Sequence, residues 1–189
     1  MIARGYTPWV TQPSAFGEGV GALAVYPGSF DPMTCGHLEI VERSARIFER
    51  VIVAVGRHPT KPGYFSVAER VELVGRCIAH IRNAEATSFD GLVVDFCRSR
   101  GARVLIRGLR ATSDFEPEFQ MGLANRDLAP EIETVFLIPR PEQQFVSSSL
   151  VREIAGHGGR FEPYVPQPVI EAMRAKHLAR ERGGERGTE

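Results

Sequence analysis

The chain lacks several features that would narrow its role at once. No apolar run in its 189 residues reaches the ~18–20 needed to cross a bilayer. The N-terminus has no charged segment followed by an apolar one, so no signal peptide is expected. Cysteines number three, Cys35, Cys77 and Cys97. They form no C-x-x-C pair and no Cys/His cluster with zinc spacing, which points to a reduced, cytoplasmic compartment. Neither charge is in excess: 23 Lys and Arg balance 23 Asp and Glu. Bulk affinity for nucleic acid or a membrane surface is therefore not expected, and basic residues at a site must act locally. The G-x-G-x-x-G and G-x-x-x-x-G-K-[ST] nucleotide motifs are missing. So is the G-x-S-x-G elbow that would anchor an acyl-transfer triad.

What is present is a chain of single-domain length with 43% hydrophobic residues, enough for a packed core. Residues 1–20 are irregular and read as a disordered leader that holds Trp9. Residues 21–180 read as one domain, and 181–189 as a flexible tail. Apolar runs at Ala22–Tyr26, Val51–Val55 and Val104–Ile106, with the weaker segment Ala84–Phe89 and a fifth segment Glu133–Ile138, predict five strands. Helical patterns separate them. In the first, Leu38, Val41, Ala45 and Phe48 should face the sheet. Ser66 with Glu69, and Ser113 with Glu116, predict capping boxes. Gly101 is placed to end a helix. Pro117 should sit in or near a first helical turn. Pro139–Phe145 reads as a loop, and the last helix spans about Val169–Leu178. Strands alternating with helices imply an α/β fold, a doubly wound parallel sheet with helices on both faces. Ligands of such sheets bind at the carboxyl ends of strands, where strand order reverses.

Tyr26–His37 leads from the first strand into the first helix, broken by Pro27, Gly28, Pro32 and Gly36. Free N–H groups and the positive end of the helix dipole meet there, which suits a phosphate. The His37 imidazole can donate to a phosphate oxygen, and the Ser29 hydroxyl can be aimed at the same group. Arg107 and Arg110 flank Gly108 just past a strand end, as fork-shaped donors suited to phosphate. Lys61 lies in a Pro-rich loop. Ser147, Ser148 and Ser149 open a helix, where they serve either as caps or as a polyphosphate cradle. Glu118 and Asn125, seven residues apart, share a helix face.

Taken together, Tyr-Pro-Gly-Ser-Phe-Asp-Pro at 26–32, Thr-x-Gly-His at 34–37 and Pro-x-Lys at 59–61 closely resemble the bacterial phosphopantetheine adenylyltransferases. These belong to the nucleotidyltransferase superfamily with the HxGH-type signature. Leu-Ile-Arg-Gly-Leu-Arg at 105–110, Ser-Asp-Phe-Glu at 113–116, Asn-Arg at 125–126 and Val-Ser-Ser-Ser-x-x-Arg at 146–152 extend the resemblance, from about Leu23 to Leu178. It implies a Rossmann-like fold. It also implies transfer of AMP from ATP to 4′-phosphopantetheine, giving dephospho-CoA and pyrophosphate, with Mg²⁺, in a homohexamer, and with CoA as an inhibitor. His37 would stabilise the transition state at the α-phosphate. Ser29, Lys61 and Arg107 would hold the acceptor phosphate. Ser29, Phe30, Gly108, Leu109, Arg110 and Glu118 would line the ATP site. Gln143, Gln144, Phe145, Val146 and Ser147–Ser149 would wrap adenine and polyphosphate, and Leu92, Val93 and Asn125 the pantetheine arm. Members often have Thr at Ser29, and an aromatic at Pro117 and at Gln143. The acceptor is already an anion, so alignment and charge neutralisation by Lys61, Arg107, Arg110, His37 and the serine helix end can suffice without a general base. Two other readings remain open at this point: a related enzyme with another phosphate-bearing acceptor, and a non-catalytic nucleotide-binding module.

Overall fold

Apolar strands alternate with helices along the chain, and the sheet they build is parallel throughout. The computed structural model describes residues 22–57 and 63–184. The leader with Trp9, the loop residue Lys61 and the last residues of the tail lie outside the described residues. The strands are β1 (Leu23–Gly28), β2 (Arg50–Gly56), β3 (Ala84–Phe89), β4 (Val104–Gly108) and β5 (Glu133–Leu137). The helices are α1 (Cys35–Ile47), α2 (Val67–Ile78), α3 (Val93–Arg100), α4 (Thr112–Leu128), α5 (Pro141–Gln144), α6 (Ser148–Gly156) and α7 (Gln167–Gly184).

Strand order is β3-β2-β1-β4-β5. The chain winds outward from β1 to β3, returns beside β1 and winds the other way, so order reverses between β1 and β4. β1 pairs with β2 from Leu23↔Arg50 to Gly28↔Val55. With β4 it pairs only at Ala24↔Val104 and Val25↔Leu105. The two central strands therefore part before their carboxyl ends, and a crevice opens there.

Side chains alternate between two cores, as the pleat requires. Ala24, Tyr26, Val51, Val53, Val55 and Ile106 pack against residues of α1, α2, α6 and α7. Val25, Ile52, Ala54 and Leu105 pack against Val94 and Cys97 of α3, with Ala129 and Ile132. Val51–Val55 is buried on both faces, as its unbroken apolar run predicts. All three cysteines are free thiols.

Local signals mostly fall where predicted. Ser66 and Glu69 form a reciprocal capping box, and Gly101 ends α3 in the left-handed conformation at φ 69°. Four details differ. α1 buries Gly36, Ile40, Val41 and Ser44, while Leu38, Ala45 and Phe48 are only partly covered at the core edge. Ser44 is tolerated inside because its hydroxyl donates to the Ile40 carbonyl at 2.7 Å. α4 starts at Thr112, so Ser113 lies within the helix and Ala111 is the cap residue. Pro117 consequently falls in the second turn, where it cannot donate to the carbonyl four residues back. Pro139–Phe145 is not all loop: Pro141 starts the short helix α5, because its fixed φ suits a first helical position. α7 continues to Gly184, beyond the predicted Leu178.

Candidate active site

The crevice between β1 and β4 holds a cavity of about 320 Å³. His37 from α1, Arg107 and Arg110 from the end of β4, and Ser147–Ser149 from the start of α6 all line it. Ser29, Gly108, Glu118 and Val146 complete the predicted residues found in its wall. Segments more than a hundred residues apart in the chain thus deliver an imidazole, two guanidiniums and a helix N-terminus to one hollow.

The β1–α1 loop sets the orientation of His37. Thr34 caps α1, its hydroxyl accepting from the His37 N–H at 3.3 Å. The His37 Nδ1 accepts in return from the Thr34 N–H at 3.0 Å. Histidine here takes the part that Glu or Gln plays in an ordinary capping box. A backbone N–H can only donate, so Nδ1 carries no proton and the neutral ring holds its proton on Nε2. Phe30 stands edge-on to the imidazole at 5.3 Å between centroids and to Tyr26 at 5.4 Å. Gly36 leaves room for α5: a Cβ there would approach the Gln143 Cβ to 3.3 Å.

Burial, and secondarily the Arg110 charge, push the His37 pKa down from 6.5 to about 4. The sequence reading counts His37 among the positive charges. With its pKa lowered by burial it is neutral near pH 7 and contributes a directed N–H donor instead. The depressed value has a stability consequence. The unfolded chain takes up this proton near pH 6.5, the folded chain only near 4. Its contribution to stability is therefore full above pH 6.5 and is lost as pH falls from there toward 4. Thermal unfolding of the wild type should lose ground to His37→Asn over that interval. A constant difference between the two would mean that the folded histidine titrates normally.

Arg107 donates from Nε and Nη2 to the two carboxylate oxygens of Glu118, both at 2.6 Å. This fork-to-fork pair is partly shielded, with side chains 27% and 20% exposed. It joins a residue predicted for the acceptor phosphate to one predicted for ATP. Arg110 is held by Asp114 at 3.1 Å and by the Val146 carbonyl at 3.2 Å. Gly108 lets β4 pass close to α1, since a Cβ there would meet the Ile40 Cδ1 at 2.7 Å.

The serine hydroxyls are already employed. That of Ser147 accepts from the Leu150 N–H, and that of Ser148 donates to the Pro32 carbonyl. That of Ser149 accepts from Arg152. The N–H groups opening α6 are thus the more available anion donors, rather than three free hydroxyls.

Other predicted residues sit elsewhere. Leu109 and Gln144 line a neighbouring hollow with Arg110, Ala111, Phe115 and Ile138. Phe30 is buried beneath the wall. Gln143 packs behind Gly36. Phe145 is exposed and stands edge-on to Tyr164. Leu92 is exposed at the head of α3, and Asn125 is buried in α4. Val93 packs on the second core. None of these lines the central cavity.

Two residues that the sequence analysis quotes only within motifs, without a role, act at the site. The Asp31 carboxylate accepts from the Tyr64 and Phe65 N–H groups at 2.7 and 2.8 Å, anchoring the far end of the segment that carries Lys61. Arg152, in the cavity wall, donates to the Asp31 carbonyl. A charged residue inside the apolar Phe30–Met33 loop, and an arginine one turn past three serines, were the available signals.

The cytidylyltransferase-like family matches residues 25–154, a span holding most of β1, the other four strands and the cavity. A phosphopantetheine adenylyltransferase of Heliobacterium modesticaldum is 52% identical over 155 residues, 82% of this chain and 92% of its own length. The chain belongs to the phosphopantetheine adenylyltransferase family. The enzyme of that name from Thermosynechococcus vestitus is 53% identical over 153 residues, 81% of this chain and 91% of its own. In this family member the matched span contains His37, Arg107, Arg110 and the α6 N-terminus. Among the described residues no helix is long and apolar enough to cross a membrane.

Proposed function

We propose that the chain transfers the adenylyl group of ATP to 4′-phosphopantetheine, giving dephospho-CoA and pyrophosphate in the cytoplasm. The observation that carries this reading is the shared cavity of His37, Arg107 and Arg110 at the strand-order reversal, in a chain so similar to enzymes of that name. An oxygen of the acceptor phosphate attacks the α-phosphorus. The bond from that phosphorus to the bridging oxygen breaks, and pyrophosphate leaves with the electron pair. The attacking oxygen carries no proton, so no base is required, and no covalent enzyme intermediate forms. The His37 Nε2–H donates to the α-phosphoryl oxygen as charge builds there. Ser29, Lys61 and Arg107 hold the acceptor phosphate. Arg110 and the α6 N–H groups hold the polyphosphate, and the hollow beside Leu109 and Gln144 is the place for adenine. Leu92, Val93 and Asn125 are assigned to the pantetheine arm.

Mg²⁺ is proposed as the metal. No group of three or more His, Cys, Asp or Glu among the described residues could cage an ion. Glu118, a carboxylate in the cavity wall, is taken by Arg107. The donor set does not make a protein metal site, so the ion is expected to arrive on the nucleotide phosphates with its waters.

A homohexamer is proposed as well. α4 exposes Phe115, Phe119, Met121, Leu123 and Leu128, and a helix apolar on several sides calls for cover. Light scattering of the purified chain tests this, and a monomer would reject it. CoA, which shares the acceptor's pantetheine arm, is proposed to inhibit by competing for the cavity.

The decisive assay is pyrophosphate release from ATP with 4′-phosphopantetheine, against a panel of other phosphate-bearing acceptors. Faster turnover with another acceptor would reject the substrate. ATP binding without pyrophosphate release under any acceptor would reject the enzyme.

A further inference from the structure

Arg70, in the early turns of α2, is 6% exposed and is the buried cation among the described residues. No carboxylate among those residues pairs with it. Its Nη1 donates to the Ser29 carbonyl at 2.7 Å and reaches the Gly56 carbonyl at 3.4 Å. Its Nε is buried without any partner among the described residues. A buried, un-neutralised charge is costly, and a buried orphan donor adds to the cost. Structure alone would be served more cheaply by an apolar side chain at this position.

Ser29 follows the last residue of β1 and Gly56 is the last of β2, on the edge where the cavity opens. Ser29 lies in the cavity wall while Arg70 lies behind it. Holding the Ser29 carbonyl fixes the loop that presents Ser29 to the cavity. Phe30 also adopts a φ of +44°, an uncommon conformation for a side chain of its size, which the Arg70 contact helps to hold. The same contact spans from the Ser29 loop to Gly56, where the segment bearing Lys61 begins.

We infer that Arg70 is a positioning residue for the acceptor phosphate: it fixes the loop that presents Ser29 to that anion and sets an uncompensated positive charge behind it. The inference rests on the proposed reaction for the identity of the anion. It names a residue that touches no substrate and acts through the loop in front of it.

Steady-state kinetics of the full chain with Arg70→Met and Arg70→Lys, alongside thermal unfolding, test it. Arg70→Met should raise the KM for 4′-phosphopantetheine about tenfold, the scale of one lost hydrogen bond to a charged group, and shift the KM for ATP less than about twofold. Arg70→Lys, which keeps the charge, should recover part of the loss. An unchanged acceptor KM in folded Arg70→Met overturns the inference, as does an equal rise in both KM values with a lowered unfolding midpoint. If Arg70→Met does not fold, Arg70→Lys decides: a higher acceptor KM at constant ATP KM supports the role, and no change in either overturns it. Should the wild type fail to use 4′-phosphopantetheine, the reaction assignment falls instead. Calorimetric titration of wild type and Arg70→Met with inorganic phosphate then decides the role of Arg70, weaker binding by the variant supporting it and equal affinity overturning it.

Discussion

Replacing His37 by alanine should lower kcat by about 10²–10³-fold, the usual loss when one donor aimed at a developing oxyanion is removed. The KM values should change far less, because the donor matters most where charge accumulates. The geometry behind this expectation is specific. Thr34 engages Nδ1, which commits the proton to Nε2 on the cavity side. The ring is neutral, so it binds no anion by charge; it contributes direction. The variant should also lose about 1 kcal/mol of stability, because the Thr34 N–H forfeits its acceptor and half of the capping box disappears. Turnover and unfolding midpoint measured on the same preparation separate the two effects. A kcat within about threefold of wild type, far inside that span, would take His37 out of the chemistry.

Arg107→Ala should raise the KM for 4′-phosphopantetheine by about 10–100-fold, the range for a charge-assisted hydrogen bond to phosphate. The Glu118 partnership adds a second effect. Without Arg107, the Glu118 carboxylate stands partly shielded and unpaired, facing the cavity that must accept a triphosphate. ATP affinity should therefore fall too, by a smaller factor. Adding Glu118→Gln to Arg107→Ala should restore the ATP KM and leave the acceptor KM high. If the double variant does not recover ATP binding, the two side chains serve ATP together, and the assignment of Arg107 to the acceptor fails.

The residues that a short stretch of chain can organise were legible in advance. Alternating apolar runs and helical patterns placed all five strands. The Ser66–Glu69 box and the Gly101 cap were found where their sequences put them. The meeting of His37 with Arg107 and Arg110 follows from parallel-sheet topology, since the arginines stand at the carboxyl end of β4 and His37 opens the helix that follows β1. Where local reading failed, a neighbour from elsewhere decided. Ser113 looks like a helix cap, yet α4 begins before it. Ile40 rather than Leu38 became buried in α1, because the angle of the helix on the sheet selects which flank is covered.

By itself, the sequence determined the order of elements, the parallel sheet, the loop that carries His37 and the edge at which a ligand binds. Each of these depends on periodicity, capping or chain direction over a dozen residues or fewer. Only the tertiary structure decided how the charges at that edge are spent. It locked Arg107 to Glu118, made His37 a neutral donor, engaged the three serine hydroxyls and set Arg70 behind Ser29. Those outcomes depend on burial and on hydrogen bonds between distant segments, such as the one 116 residues apart between Ser148 and Pro32. Short-range pattern carries no record of how far a side chain is desolvated or which distant group it meets.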